Sequence, residues 1–340
     1  MEQKPLVSVL MGTYNTEETM LDASVKSILN QSYKNIELII VDDHSTIYDI
    51  SEVMAKYEDD RIKLIKNNQN HGLAYSLNKA ISHARGKYLA RMDADDICVR
   101  TRIADQVEYM RRHPKIKMVY SRAIVFGVSK YLRCDLLNNM SYRKALFLFK
   151  NGITHPTVMF DTDFMKSNDI KYDETFKKSQ DYELWPRIQE YGDVIKEIPK
   201  IGLYYRTSST QASAAGKNQD QRSFADRVRT RELLKIGLVP NEVEYSCHHS
   251  LAIGEISEDL SVNDINKWCK RIIDANNVAN KHTRLYINIV LADQYLALKE
   301  TRLKDAYRLF GNAVFVLSVL KIKRKVLDLY YTKTANIPCC

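Results

Sequence analysis

Short apolar runs alternate with stretches of helical period through the N-terminal part of the chain, and no other feature restricts the fold as strongly. Leu6-Val-Ser-Val-Leu-Met-Gly12 has strand length, with turn chemistry directly behind it in Thr13-Tyr14-Asn15. From Glu17 to Asn30, Met20, Leu21, Ser24, Val25, Ile28 and Leu29 recur at helical spacing, with Thr16 as the expected N-cap. Ile36 to Val41 reads as a buried strand that ends at Asp42-Asp43. An amphipathic segment near Ile50 to Tyr57, the run Ile62-Lys-Leu-Ile65, a helix from about Gly72 to Ala84 and the strand Lys87 to Met92 follow in turn. Strands alternating with helices of this length predict right-handed βαβ crossovers and a mainly parallel sheet, an α/β fold.

Ligands of open α/β sheets bind outside the carboxyl ends of the strands, so the polar clusters at those ends are the candidate site. Tyr14, Asp42-Asp43 and Asp93-Ala-Asp95-Asp96 all fall there. In the last of these, the strand from Tyr88 runs straight into carboxylates. Oxygen ligands suit a hard divalent cation such as Mg²⁺ or Mn²⁺, and a turn after Met92 lets two of them converge. A helix N-terminus or a solvated turn explains the same residues without a metal, and pattern alone leaves both readings open. The first βα turn carries no G-x-G-x-x-G, and no G-x-x-x-x-G-K-[ST] occurs, which disfavours a dinucleotide fold or a P-loop. His44 and His71 read as loop residues, since no second ligand sits at metal-binding spacing.

A length of 340 residues allows one large core or two domains, and 45% hydrophobic with 27% charged residues describes a globular chain. The formal charge of +9 calls for an anionic neighbourhood: nucleic acid, phosphorylated substrates or acidic lipid. Met-Glu-Gln-Lys-Pro at the start lacks an apolar signal core, and no uncharged apolar run reaches about 18 residues, so a cytoplasmic location is expected. The cysteines, at 98, 134, 247, 269, 339 and 340, show no Cys-x-x-Cys spacing and read as reduced thiols.

Val7-Ser-Val-Leu-Met-Gly-Thr-Tyr-Asn15, Glu37-Leu-Ile-Ile-Val-Asp-Asp-His-Ser45, Asn70-His-Gly-Leu-Ala74, Ala84-Arg-Gly-Lys-Tyr88 and Met92-Asp-Ala-Asp-Asp96 resemble, in order, the blocks of the family 2 glycosyltransferases with the GT-A fold, of the bacterial surface-polysaccharide type. The resemblance runs from about residue 6 to residue 206 and says little about the sugar. It implies that Tyr14 stacks on the uracil of a UDP-sugar, with Thr13 and Asn15 beside it, and that Asp43 accepts from the base edge. Asp93 would lie near the ribose or donor sugar, and Asp95 would bind the Mn²⁺ or Mg²⁺ that bridges the diphosphate. Arg85 and Lys87 either face phosphate or are solvated charges beside the Gly86 turn.

On this reading residues 1–220 form the glycosyltransferase domain, with a nucleotide half at about 1–127 and an acceptor half at about 128–220. Its acceptor half contains a helix at Tyr142 to Phe149, the stretch Ile153-Thr-His-Pro-Thr-Val-Met-Phe160 and the block Ser179-Gln-Asp-Tyr-Glu-Leu-Trp-Pro-Arg187. The last two are similar to family blocks, which implies Asp181 as the catalytic base, with Glu183 as second candidate, and His155 as a structural or acceptor-side residue. Gln180 departs from the acidic residue frequent there, and Pro186 is expected to leave a carbonyl unpaired or to kink the helix. Arg206 reads as a diphosphate ligand or a surface charge, and Thr207 to Gly216 as a loop over the donor. Absence of a Gln-x-x-Arg-Trp block and of membrane helices favours single addition. From 221 to 340 helical patterns take over, at Ser223 to Ile236, Ile265 to Ala275, Thr283 to Leu298 and Leu303 to Val319. Lys321-Ile-Lys-Arg-Lys-Val-Leu-Asp-Leu-Tyr-Tyr331 joins basic residues to an apolar set and reads as a solvated helix end or as a peripheral contact with anionic lipid on the inner face of the membrane. The expected function is therefore inverting, metal-dependent transfer from a UDP-sugar to a hydroxyl of a glycan or lipid-linked saccharide. A non-catalytic basic protein that binds nucleic acid, or a nucleotidyltransferase on a related sheet, is the alternative; the acidic triplet argues against phosphate approach without a metal.

Overall fold

The computed structural model describes residues 4–135, 137–207, 219–279 and 283–335. The expected donor loop beyond Thr207 and the Cys339-Cys340 pair lie outside the described residues. Two compact units emerge, one from 4–135, 153–207 and 330–335, the other from 137–152 and 219–329.

The first unit is built on β1 (Val7–Thr13), α1 (Glu18–Leu29), β2 (Ile36–Asp42), α2 (Ile50–Ala55), β3 (Ile62–Lys66), α3 (Leu73–His83), β4 (Tyr88–Asp93), β5 (Ile97–Cys98), α4 (Arg102–Arg112), β6 (Met118–Gly127) and β7 (Tyr131–Arg133). Later come β8 (Val158–Asp161), α6 (Thr162–Ser167), α7 (Gln180–Gln189) and β9 (Ile195–Thr207), while α5 (Met140–Leu146) falls in the second unit. Among the described residues, nine strands form one sheet in the order β3-β2-β1-β4-β8-β6-β9-β5, with β7 on β6. The β3-β2-β1-β4 half is parallel, as the alternation predicts; β8 then enters antiparallel to both β4 and β6. Val7, Val9 and Met11 pack with Leu21, Val25 and Ile28 of α1, all fully buried. Each such side chain contributes about 1.5–3 kcal/mol. Helices on both faces explain why β1 and β2 read as continuous apolar runs rather than alternating ones. Gly12 lies where α3 packs on β1, and a Cβ there, 2.8 Å from Leu73 Cδ1, would make that side chain shift.

Thr16 does not cap α1: Glu17 holds the N-cap position, and the Thr16 hydroxyl instead accepts from Thr13 Oγ1 at 3.0 Å. Arg85 is also settled as structural. It pairs with the buried Glu37 at 2.9 Å, beside Ser8 at the start of β1, at the opposite end of the strands from the carboxylates. Pro186 lies inside α7, which continues to Gln189 at the cost of the backbone bond its nitrogen would have made.

The second unit is helical: α5, α8 (Gln219–Lys235), α9 (Glu242–Ile253), α10 (Val262–Ala279), α11 (Arg284–Ala297), α12 (Leu303–Phe310) and, up to Leu329, α13 (Ala313–Thr334). Leu251, Trp268, Ile272, Leu291, Tyr295, Phe310 and Leu317 form its core, together with Tyr142, Leu146 and Phe149. The helix expected in the acceptor half thus buries its apolar face in this core instead. Helical periodicity could not assign it, since it gives a buried face without naming what buries it. A break at Gly311, with φ 57°, divides the single helix expected from Leu303 to Val319 into α12 and α13.

Candidate active site

The carboxyl ends of β1 and β2 are tied into one rim. Thr13 pairs with Asp42 across the strands, and the Asp43 backbone N–H donates to the Thr13 carbonyl at 2.8 Å. Asn15 takes a left-handed conformation, φ 51°, and its side-chain oxygen accepts from Thr46 N at 2.8 Å, while its own N–H donates to Ser45 Oγ at 3.0 Å. Tyr14 is held between these anchors with half of its surface exposed. A large aromatic ring kept in solvent on a braced turn is available for stacking.

Asp43 is buried, and its carboxylate organises the 67–72 loop. Oδ1 accepts from Asn67 Nδ2 at 2.7 Å and from His71 N at 2.9 Å, and Oδ2 accepts from Gly72 N at 2.7 Å. A carboxylate offers about four acceptor sites, so one remains. Gly72 has φ 92°, which suits the close approach of its N–H.

β4 ends in the acidic cluster. Carboxylate oxygens of Asp93, Asp95 and Asp96 lie within 4.8 Å of one another, with Asp96 buried and the other two half-buried. Arg91, two residues before Asp93 and so on the same face of β4, forms a buried ion pair with it. Its Nε and Nη1 make no hydrogen bond to the described residues. Arg206 arrives through strand pairing: Ile97 opposes Tyr204 and Cys98 opposes Leu203, and extending that antiparallel register sets residue 95 against 206. The Arg206 N–H donates to Asp96 Oδ1 and its Nε to the Asp95 carbonyl, both at 2.8 Å, while its guanidinium lies 4.8 Å from the Phe126 ring centre.

Burial, and then the charges of Asp93 and Asp95, push the Asp96 carboxyl well above the usual range. Asp96 Oδ2 is buried with no hydrogen-bond partner among the described residues. Clustered hard oxygens, one of them orphaned, fit a divalent cation held by Asp95 with Asp93 or Asp96.

Facing this cluster within the same unit is an aromatic group. His155 is buried; its Nε2 lies 2.7 Å from the Tyr172 hydroxyl and its ring meets Trp185 edge-on at 5.6 Å. Burial, with the Arg91 charge in the same direction, holds His155 well below the usual imidazole range, so the ring is neutral. Tyr172 is pushed up by burial, and the charges of Asp181 and Asp93 add to the rise. Asp181 therefore lies within electrostatic reach of a ring that also senses the acidic cluster. It sits half-buried in the first turn of α7, where its Oδ1 accepts from Tyr182 N at 2.8 Å. Glu183 is fully buried and clasped by Arg187, with Nε at 2.8 Å and Nη2 at 2.6 Å. That bidentate pair occupies both of its oxygens.

Residues 8–170 match the family model for glycosyl transferase family 2. An E. coli protein named UDP-Glc:alpha-D-GlcNAc-diphosphoundecaprenol beta-1,3-glucosyltransferase WfaP is 31% identical over 233 residues, covering 68% of this chain and 86% of that protein. An uncharacterised glycosyltransferase of Methanocaldococcus jannaschii is 38% identical over 205 residues, 57% of this chain and 69% of the other. The chain is a family 2 glycosyltransferase. Its fold is likewise shared with S. aureus TarS 1-349 in complex with UDP-GlcNAc, at a TM-score of 0.57 and 18% identity over 93% of this chain and 92% of that one. This is the GT-A arrangement, followed here by a helical region. Membership replaces nucleotidyl transfer as the account of the sheet.

In this glycosyltransferase Thr13, Tyr14, Asn15 and Asp43 share one rim, and Asp93, Asp95 and Arg206 share another cluster. His155 and Asp181 gather around Tyr172, and the shared influence of Arg91 on His155, Tyr172 and Asp96 links these last two groups. Sequence reasoning passed over Arg91 and Tyr172. A signal for the first existed, since a cation inside an apolar strand two residues from an aspartate shares its face. Tyr172 carried none, because its partner is 17 residues away, beyond β8 and α6.

Proposed function

We propose that the chain transfers a sugar from a UDP-sugar to a hydroxyl of a lipid-linked saccharide in surface-polysaccharide synthesis, by single displacement with inversion. The reading rests on the carboxylate cluster with the orphaned Asp96 Oδ2 at the strand ends. Support for the donor and acceptor classes comes from the E. coli relative, whose name gives a UDP-Glc donor and a diphosphoundecaprenol-linked acceptor.

Tyr14 offers its ring face to the base, Thr13 and Asn15 brace that turn, and the remaining lone pair of Asp43 accepts from the base N–H. Asp95, with Asp93, holds Mg²⁺ or Mn²⁺. That ion, when bound, neutralises the departing diphosphate. Arg206 adds a fixed positive charge on the same side. Asp181 takes the proton of the acceptor hydroxyl as the new bond forms, and His155 positions Tyr172 beside it. The deciding measurement is UDP release from a panel of UDP-sugars with a lipid-linked acceptor, with and without Mn²⁺. Asp95→Ala should lose release and Mn²⁺ binding together; full activity of the wild type in excess chelator refutes the metal, and a retained anomeric configuration refutes the displacement.

A further inference from the structure

α13 carries two apolar faces. Ala313, Val314 and Leu317 are buried in the core of the helical unit. On the other side Phe315, Val319, Ile322, Val326 and Leu329 are exposed, from 49% to 66%. Their spacing of four, three, four and three residues places them in one stripe along the helix. At 100° per residue, Lys323 and Lys325 project on either side of this stripe, each about 80° from Phe315, in the helical geometry of 3.6 residues per turn. Neither lysine pairs with an acidic side chain among the described residues, whereas Lys321, nearer the buried side, binds Asp293 at 2.8 Å. Asp328 is the one acidic residue of the helix.

We propose that this outer face of α13 lies in the interface of an anionic lipid membrane, with the stripe among the acyl chains and Lys323 and Lys325 reaching to lipid phosphates. Long apolar stems let the lysines keep their ammonium groups at headgroup level while the ring of Phe315 and the aliphatic residues sink below. Charge selects this occupant over a second copy of the chain. Pairing two such helices through the stripe would bring the flanking lysines of both together with little acid to offset them. No helix among the described residues is long and apolar enough to cross a membrane, so contact is in the plane. The inference deepens the lipid-linked acceptor reading, because it brings the enzyme to the surface that carries such an acceptor.

The test is flotation of the full chain with phosphatidylcholine vesicles, with and without phosphatidylglycerol, alongside light scattering and UDP release in solution. Wild type should float only with the anionic vesicles. Ile322→Asp with Val326→Asp should abolish flotation, and Lys323→Ser with Lys325→Ser should weaken it by about fivefold per lysine. Both variants should keep the wild-type melting temperature and UDP release, since every altered side chain is exposed. Equal flotation with neutral vesicles, undiminished flotation of the aspartate variant, or a dimer that the aspartate variant dissociates would overturn the proposal. Loss of UDP release from the wild type would instead strike the catalytic reading and leave the flotation result standing.

Discussion

Arg91→Met removes the buried cation that pairs with Asp93 in the acidic cluster, and its effects should run in two directions. Arg91 is 3% exposed and Asp93 26%, so the variant strands a half-buried carboxylate beside Asp95 and Asp96. Breaking a buried pair by deleting one partner costs about 3–5 kcal/mol, and the partial exposure of Asp93 argues for the lower figure of about 3. For a unit of this size each kcal/mol moves the melting temperature by about 2–4 °C, so a fall of roughly 6–12 °C is expected in the presence of chelator. Added Mn²⁺ should then raise the melting temperature of the variant by more than that of the wild type. Without Arg91 the carboxylates face a divalent ion with less competing positive charge, and stabilisation by a ligand grows with its affinity. Ordinary damage to the core would lower stability without enlarging the Mn²⁺ response. Arg91→Lys, which keeps the charge, should fall between. Differential scanning fluorimetry across a Mn²⁺ titration decides the matter: a loss below about 2 °C, or equal Mn²⁺ increments in all three proteins, refutes Arg91 as the internal countercharge.

Asp181→Asn should cut sugar transfer by about 10²–10⁴-fold while UDP binding by calorimetry stays as in the wild type; near-normal transfer removes it as the base. Asp43→Ala should weaken UDP binding and also lower the melting temperature, because three donors of the 67–72 region lose their acceptor. Glu197, buried and facing Asp135, is pushed up to about 7 from 4.5. Between those values the folded chain binds the proton and the unfolded chain releases it, so stability falls as pH rises from about 4.5 to about 7, by up to ~3 kcal/mol. Glu197→Gln should flatten that slope in melts from pH 5 to 8, and parallel slopes would refute the assignment.

The parallel half of the sheet was readable because it is buried on both faces, which leaves unbroken apolar runs followed by polar turns in β1, β2 and β4. Approach of Arg206 to the aspartates was not readable in the same way. It depends on β5, whose two residues are too short to show any period. Helix α9 was also missed, although Asn241 and Glu244 bracket its start with the spacing of a capping box, and both bonds of that box are formed. Composition at 242–253 gives little amphipathic contrast, so the two caps, the box at Asn241 and the left-handed Gly254, were the local signs.

Choice between the acceptor-side carboxylates shows how far local pattern reaches. Glu183 and Arg187 stand four apart in one helix, the spacing at which opposite charges meet on its surface, and the sequence alone contains that pairing. Its consequence is that Glu183 is held by Arg187, whose Nη2 also donates to the Lys171 carbonyl at 2.7 Å. The residue four on from Asp181 is Trp185, and Arg187, six residues on, faces another side of the helix. Its place beside Tyr172, by contrast, comes from the loop that returns residue 172 to the sheet, and no spacing rule in the chain encodes it. A carboxylate's engagement can thus be read from its own helix, whereas its availability to a substrate depends on contacts that form only when distant strands are already in register.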